Sequence, residues 1–289
     1  MGILLAFIAY AGLAWGDAAI KAVGTDLSVF EIGFFVGLFA ILFSVVLRGP
    51  GERWRDAFHM RHPWLVQARA FTGIMAGLLG VYAFTTIPFA EAYALIFMAP
   101  FVVTILSVLL LKETVGRYRW LAMAAGFLGM LMVVRPAVRA VEPGHAAALA
   151  VALFSALTVI ILRKISGEER RSVLLAVPFT YSIVVSGLLS IPGFVVPSGR
   201  QLMLMALSGV LGALGQAALL AATRRVSAST VGQAQYSQLI WAVLVGAVFY
   251  AEYPDIWTIV GLLVIAAAGI FTAVRQRLAE RTGSGRSGT

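Results

Sequence analysis

The chain is a succession of ten apolar stretches separated by short polar gaps. They run Ile3–Ile20, Phe30–Leu47, Leu65–Thr86, Ala92–Leu111, Trp120–Val134, Ala146–Leu162, Val173–Phe194, Leu202–Thr223, Val231–Tyr250 and Ile256–Val274. Most approach the roughly 20 residues that carry a helix across about 30 Å of hydrocarbon. The apolar runs are continuous and do not alternate with period two, which sets aside a membrane β-barrel. The pattern predicts an all-α integral membrane protein with ten transmembrane helices. No gap is long enough for a soluble domain. The longest, Arg48–Trp64, carries Trp54 and Trp64 and reads as a segment along the membrane surface.

Charge adds orientation to this pattern. Seventeen of the 22 lysines and arginines fall in every second gap or in the C-terminal tail. Lys21, Arg135, Arg139 and Arg200 occupy the other gaps, and Arg69 lies inside the third stretch. Such alternation marks the loops that stay cytoplasmic, so both termini are expected in the cytoplasm. Only 12% of residues are charged, about half the share of a soluble domain. The net charge of +9 then follows from loop bias and attraction to anionic headgroups, without nucleic acid as a partner. There is no cysteine, hence no disulfide framework or thiolate metal site, and no asparagine for N-glycosylation. The first stretch lacks a basic leader and is long for a signal peptide, so it reads as the first transmembrane helix. Thr282–Thr289 is polar, glycine-rich and expected to be flexible.

A division near Glu142-Pro143-Gly144 leaves five stretches on each side. Five is odd, so a duplicated second half must enter from the opposite face, giving two inverted five-helix repeats. The expected units are residues 1–140, 141–278 and a cytoplasmic tail at 279–289. An offset of 139 places Glu113 on Glu252, Gly73 on Gly212, Ala83 on Ala222 and Phe97 on Tyr236. Layout supports the repeat more than identity does.

The segment Tyr82-Ala-Phe-Thr-Thr-Ile-Pro88-Phe-Ala90-Glu-Ala92 leads into Ala99-Pro100-Phe101, then Leu111-Lys112-Glu113-Thr-Val-Gly116, Trp120 and Gly126…Gly129. Arg225-Val-Ser-Ala228, Ala251-Glu252 and Gly261…Gly269 echo it in the second half. This resembles the EamA-type module of the drug/metabolite transporter superfamily, over nearly the whole chain. The resemblance implies a ten-helix inverted repeat in a bacterial inner membrane that exports small metabolites. Within the family the layout is similar to aromatic amino acid exporters of the YddG type. One departure is that Leu239 stands where the ninth helix often has a proline like Pro100, so the two halves are expected to bend differently.

Polar residues at depth are costly and therefore informative. Asp17 has two readings: a local i,i+4 ion pair with Lys21, or a carboxylate lining the path for an ammonium group or a proton. Gln235 and Gln238 sit three residues apart and share a helical face. Glutamine donates and accepts, so the pair suits either a zwitterion or interhelical hydrogen bonding. Trp15, Tyr82, Phe97, Tyr236 and Trp241 lie deeper than the boundary aromatics and are candidates to wall a cavity for an apolar, aromatic or cationic group. Glu91 reads as an acid at a helix start, Arg69 as a side chain reaching the interface or a substrate carboxylate, and Gly12–Gly16, Gly33–Gly37 and Gly73–Gly77 as packing seams. Ser229, Thr230, Gln233 and Gln216 are further polar candidates, and Glu113 and Glu252 are expected at helix ends. His59, His62 and His145 are expected in loops.

No Walker loop, nucleophile elbow or metal-ligand cluster is present, so no cofactor and no enzymatic activity are expected. The interior lacks the cations that phosphorylated substrates need. The expected function is secondary transport, by alternating access, of small metabolites, foremost amino acids with apolar or aromatic side chains. The chain is taken as a monomer in the lipid bilayer, with protons a candidate coupling ion. Efflux of organic cations is the alternative, and a non-transporting scaffold or receptor is the alternative of another class.

Overall fold

The computed structural model describes residues 2–46, 60–111, 116–135, 140–165, 168–169, 171–223, 225 and 234–284. Its helices are α1 (Gly2–Val23), α2 (Val29–Val46), α3 (Pro63–Thr86), α4 (Phe89–Ile96), α5 (Ala99–Leu111), α6 (Arg117–Val134), α7 (Pro143–Ile165), α8 (Arg171–Ser190), α9 (Gly199–Thr223), α10 (Ser237–Tyr250) and α11 (Ile256–Ser284). Among the described residues, six segments are long and apolar enough to cross a membrane, and four shorter apolar helices bring the number to ten. The fourth span is α4 and α5 together.

Local chemistry starts and stops these helices. Ser28 and Glu31 form a reciprocal capping box at α2: the Glu31 amide donates to Ser28 Oγ at 3.2 Å, and the Ser28 amide donates to Glu31 Oε2 at 2.9 Å. Ser198 and Gln201 repeat the arrangement at α9. Asp255 caps α11 by accepting the Thr258 amide at 2.9 Å. Pro100 cannot donate to the carbonyl four residues back, and the fourth span breaks at Phe97–Met98. Pro178 likewise removes the helical partner of the Leu174 carbonyl inside α8. Arg69 on α3 fills that vacancy, donating from Nη1 to the Leu174 carbonyl at 2.7 Å. Arg69 is thus a tie between α3 and α8, whereas the sequence suggested reach to the interface or to a substrate.

The order of packing carries the repeat. The first span of one half pairs with the third of the other, α1 with α9 and α3 with α7. Second, fourth and fifth spans pair with their own counterparts: α2 with α8, α4 with α10, α6 with α11. This exchange is what a two-fold relation between inverted halves produces. The halves are interleaved, so rocking of one sequence half against the other does not describe the close-packed units; the pairs α1–α9 and α3–α7 do. At the α6–α11 crossing, Gly129 and Gly261 face each other, and a Cβ on Gly129 would approach the Gly261 carbonyl to 2.8 Å. Gly16 lies against the Ser208 carbonyl of α9, and Gly33 and Gly37 against Ser186 and Ser182 of α8. Gly73 and Gly77, expected as a seam, have no neighbour among the described residues within 4 Å of their Cβ positions.

Four expectations need correction. The second half also breaks, at Tyr236, although Leu239 replaces proline. Tyr236 packs its ring flush on Gly269 of α11, where any side chain would overlap it. That tertiary contact, and not a proline, accompanies the break. Because α10 starts at Ser237, Gln235 and Gln238 lie on either side of the break and do not share one helical face. His145 belongs to the first turn of α7 and is buried. Finally α11 continues through Ser284, so residues 279–284 of the expected tail are helical; the segment Gln276–Arg281 is rich in good helix formers, and the first glycine comes at Gly283.

Candidate functional site

The short helix α4 is the centre of the molecule. Of its eight residues, Phe89, Glu91, Ala92, Tyr93, Ala94 and Leu95 are buried. A helix apolar on all sides belongs in a core, and α4 is enclosed by residues of α3, α6, α7, α10 and α11. Its two polar exceptions each have a partner. Glu91 Oε2 lies 3.0 Å from His145 Nε2 of α7, both side chains buried. Tyr93 donates its hydroxyl to Asp17 Oδ2 of α1 at 2.6 Å. The Gln238 side chain of α10 meets the same hydroxyl.

Asp17, Tyr93 and Gln238 therefore join α1, α4 and α10, one residue from each. Aromatic rings extend the cluster. Tyr93 neighbours Phe84, Phe89 and Phe97 at centroid distances of 5.5, 5.1 and 6.1 Å. Phe97 in turn meets Tyr236 at 5.4 Å. These two residues, superposed by the sequence offset, stand at the breaks of their halves and touch each other. Tyr93 is the residue sequence reasoning passes over. It lies in an apolar run, and only the need of a half-buried Asp17 for a donor points to it.

The remaining candidates distribute differently. Trp15 meets Trp241 at 6.1 Å and Phe249 at 5.5 Å, a second aromatic group along the α1–α10 seam. Trp15 is 38% exposed and Phe249 61%, so this group faces outward from the bundle. Tyr82, 37% exposed near the end of α3, joins neither group. Gln235 is half-buried and makes no hydrogen bond with a described residue. Gln216 is exposed on α9. Ser229, Thr230, Gln233 and Glu113 lie outside the described residues.

Lys21 does not pair with Asp17. Its Nζ is 2.7 Å from Glu252 Oε1 and donates to the carbonyls of Phe84 at 3.2 Å and Ile87 at 2.9 Å. The local i,i+4 pairing loses because Pro88 strips the Phe84 carbonyl of its helical donor, creating a stronger acceptor site at the end of α3. Glu252 completes the corner by accepting the Phe89 amide, the first of α4, at 2.7 Å. Asp17 is left with neutral partners among the described residues. Nearby, Arg135 pairs with Asp255. Asp255 lies outside the spans, and its carboxyl is held down to about 2 by the Thr258 amide first, with the Thr258 hydroxyl and Arg135 adding. A recess of about 130 Å³ opens here, lined in part by Pro88, Glu91, Gly246, Glu252, Asp255 and Thr258.

The arrangement is suited to binding. A carboxylate, a phenol, a carboxamide and aromatic faces can hold a small solute with a cationic or zwitterionic head and an apolar body. Known proteins with related sequences are named for transport. The chain is 27% identical over 274 residues to an S-adenosylmethionine uptake transporter of Rickettsia felis, covering 91% of this chain and 89% of that one. It is 31% identical over 251 residues to a riboflavin transporter of Rhizobium johnstonii, covering 84% and 80%. It is 29% identical over 276 residues to the pseudopaline exporter CntI of Pseudomonas aeruginosa, covering 93% and 94%. A solved crystal structure superposes with a TM-score of 0.68 at 17% identity, over 96% of this chain and 98% of that one, and shares the fold. The model of the EamA-like transporter family matches twice, at residues 1–135 and 142–274. With its interleaved inverted halves each matched by that model, the chain belongs to the EamA-like transporter family of the drug/metabolite transporter superfamily.

Proposed function

We propose that this transporter is a secondary carrier that exports small metabolites, foremost amino acids with apolar or aromatic side chains, across the bacterial inner membrane by alternating access, with both termini cytoplasmic. The observation that carries the reading is the Asp17–Tyr93–Gln238 cluster between α1, α4 and α10. Asp17 takes the substrate ammonium in place of the Tyr93 hydroxyl. Gln238 donates to the substrate carboxylate, and Tyr93, Phe97 and Tyr236 wall its side chain. Tyr82 and Gln235 are assigned to the path beside this cluster, and Trp15 and Trp241 to its outer edge along the α1–α10 seam. The transporter acts as a monomer, and protons on Asp17 are the candidate coupling ion.

Efflux of organic cations is a second reading, favoured by one observation: Lys21 is committed to Glu252, leaving Asp17 without a cationic partner among the described residues. Counterflow in liposomes separates the two. With unlabelled phenylalanine or leucine inside, labelled amino acid is expected to accumulate transiently. Flux restricted to quaternary cations would replace the first reading with the second. Absence of flux for every solute would favour a scaffold or receptor.

A further inference from the structure

At the end of the molecule opposite the start of α1, one ion pair joins α1, the end of α3, the start of α4 and the α10–α11 corner. Lys21 belongs to α1, which packs on α9; the Phe84 and Ile87 carbonyls it holds belong to the end of α3, which packs on α7. Glu252, in the α10–α11 corner, binds Lys21 through one carboxylate oxygen and the first amide of α4 through the other. Tyr250 lies beside them, its ring 5.4 Å from Lys21 Nζ and its hydroxyl donating to the Ala18 carbonyl of α1. Each charge therefore satisfies backbone groups that Pro88 and the helix ends leave open. The pair is also part of the site's frame. Asp17 is one turn before Lys21 on α1, and Tyr93 is one turn after Phe89 on α4, so the bridge fixes the two helices whose side chains meet in the cluster. Among the described residues, no other polar side chain ties the α1–α9 pair directly to the end of α3.

We propose that Lys21 and Glu252 are positioning residues of the transport cycle: paired, they hold α4 so that Tyr93 faces Asp17 and keep this end shut; parted, they release the end of α3 from α1 and open the site to that side. The inference rests on the proposed function for what the site does, but the opening itself is read without substrate. One ammonium holds Glu252 and two carbonyls at once, so the contacts that close this end share a single group and can act as one of two discrete arrangements.

The chain has no cysteine, so spin labels can be placed without removing any. Thr25→Cys, just beyond α1, and Val141→Cys, just before α7, are both at exposed positions. In lipid nanodiscs, electron–electron distance measurement on this pair should give one short distance. Lys21→Gln and Glu252→Gln keep hydrogen-bonding capacity but remove the ion pair, and each should add a second, longer distance. Lys21→Arg should restore the single short one. A single short distance in both glutamine variants overturns the proposal while leaving the transport reading of Asp17 standing. Equal broadening in all three variants, Lys21→Arg included, assigns the pair to stability alone and overturns it as well.

Discussion

Under the proposed function, Asp17 is the residue on which substrate choice turns. Its carboxylate accepts from Tyr93 and has no cation beside it among the described residues, because Lys21 serves the α3–α4 corner. Under the amino acid reading, Asp17→Asn removes one charge-assisted hydrogen bond, for about 1.4 kcal/mol or roughly tenfold in apparent affinity. Efflux of a permanent cation should instead be lost altogether. Substrate titration of counterflow by the variant reads the difference. Asp255 gives a separate expectation in pH. Its folded carboxyl is held down to about 2, below the ordinary value of 3.8. Its stabilisation is therefore complete above the ordinary value and drains as pH falls from there towards 2. Thermal unfolding of Asp255→Asn should lie below wild type at neutral pH, and the gap should narrow below about pH 4. A gap that is constant across that range would show that the charge is not the stabilising feature. At this scale the sequence was partly legible. An acid inside an apolar run announces a site. Its partner could not be read, because Tyr93 is 76 residues away and resembles any core aromatic.

The helices themselves were the most legible part, since runs of apolar residues near the length of a bilayer leave few alternatives. Their breaks were less so. Pro100 marks the first, but the second accompanies Tyr236 lying on Gly269 of another helix, a cause with no local signature. Arg69 and Pro178 show how one irregularity explains another residue. The proline frees the Leu174 carbonyl, and the arginine occupies it. Arg69→Leu should then destabilise the protein by about 1–3 kcal/mol, the cost of a buried unpaired carbonyl. In the Pro178→Ala background, where the helical amide returns, the same change should cost about 1 kcal/mol less. A double-mutant cycle on unfolding in detergent measures the coupling, and additive effects would break the link between the two residues.

For the whole molecule, the cation pattern along the chain, the doubled family match and the exchanged helix pairs describe one architecture from three directions. With the proposed orientation, read from the cations, a reporter fused to the C-terminus should be active only in the cytoplasm; periplasmic activity would reverse it. The interleaving of the halves could not be read from sequence, since it concerns which helix lies beside which. Under the proposed function, it makes the moving parts of alternating access two mixed bundles, one built on α1 with α9 and the other on α3 with α7, in place of the two sequence halves. The most direct test of this account is counterflow of labelled phenylalanine in liposomes carrying wild-type protein or Asp17→Asn. The account predicts saturable flux for wild type and an apparent affinity weakened about tenfold in the variant. Wild-type flux with an unchanged affinity in Asp17→Asn would contradict it, because the solute would then pass without meeting the cluster.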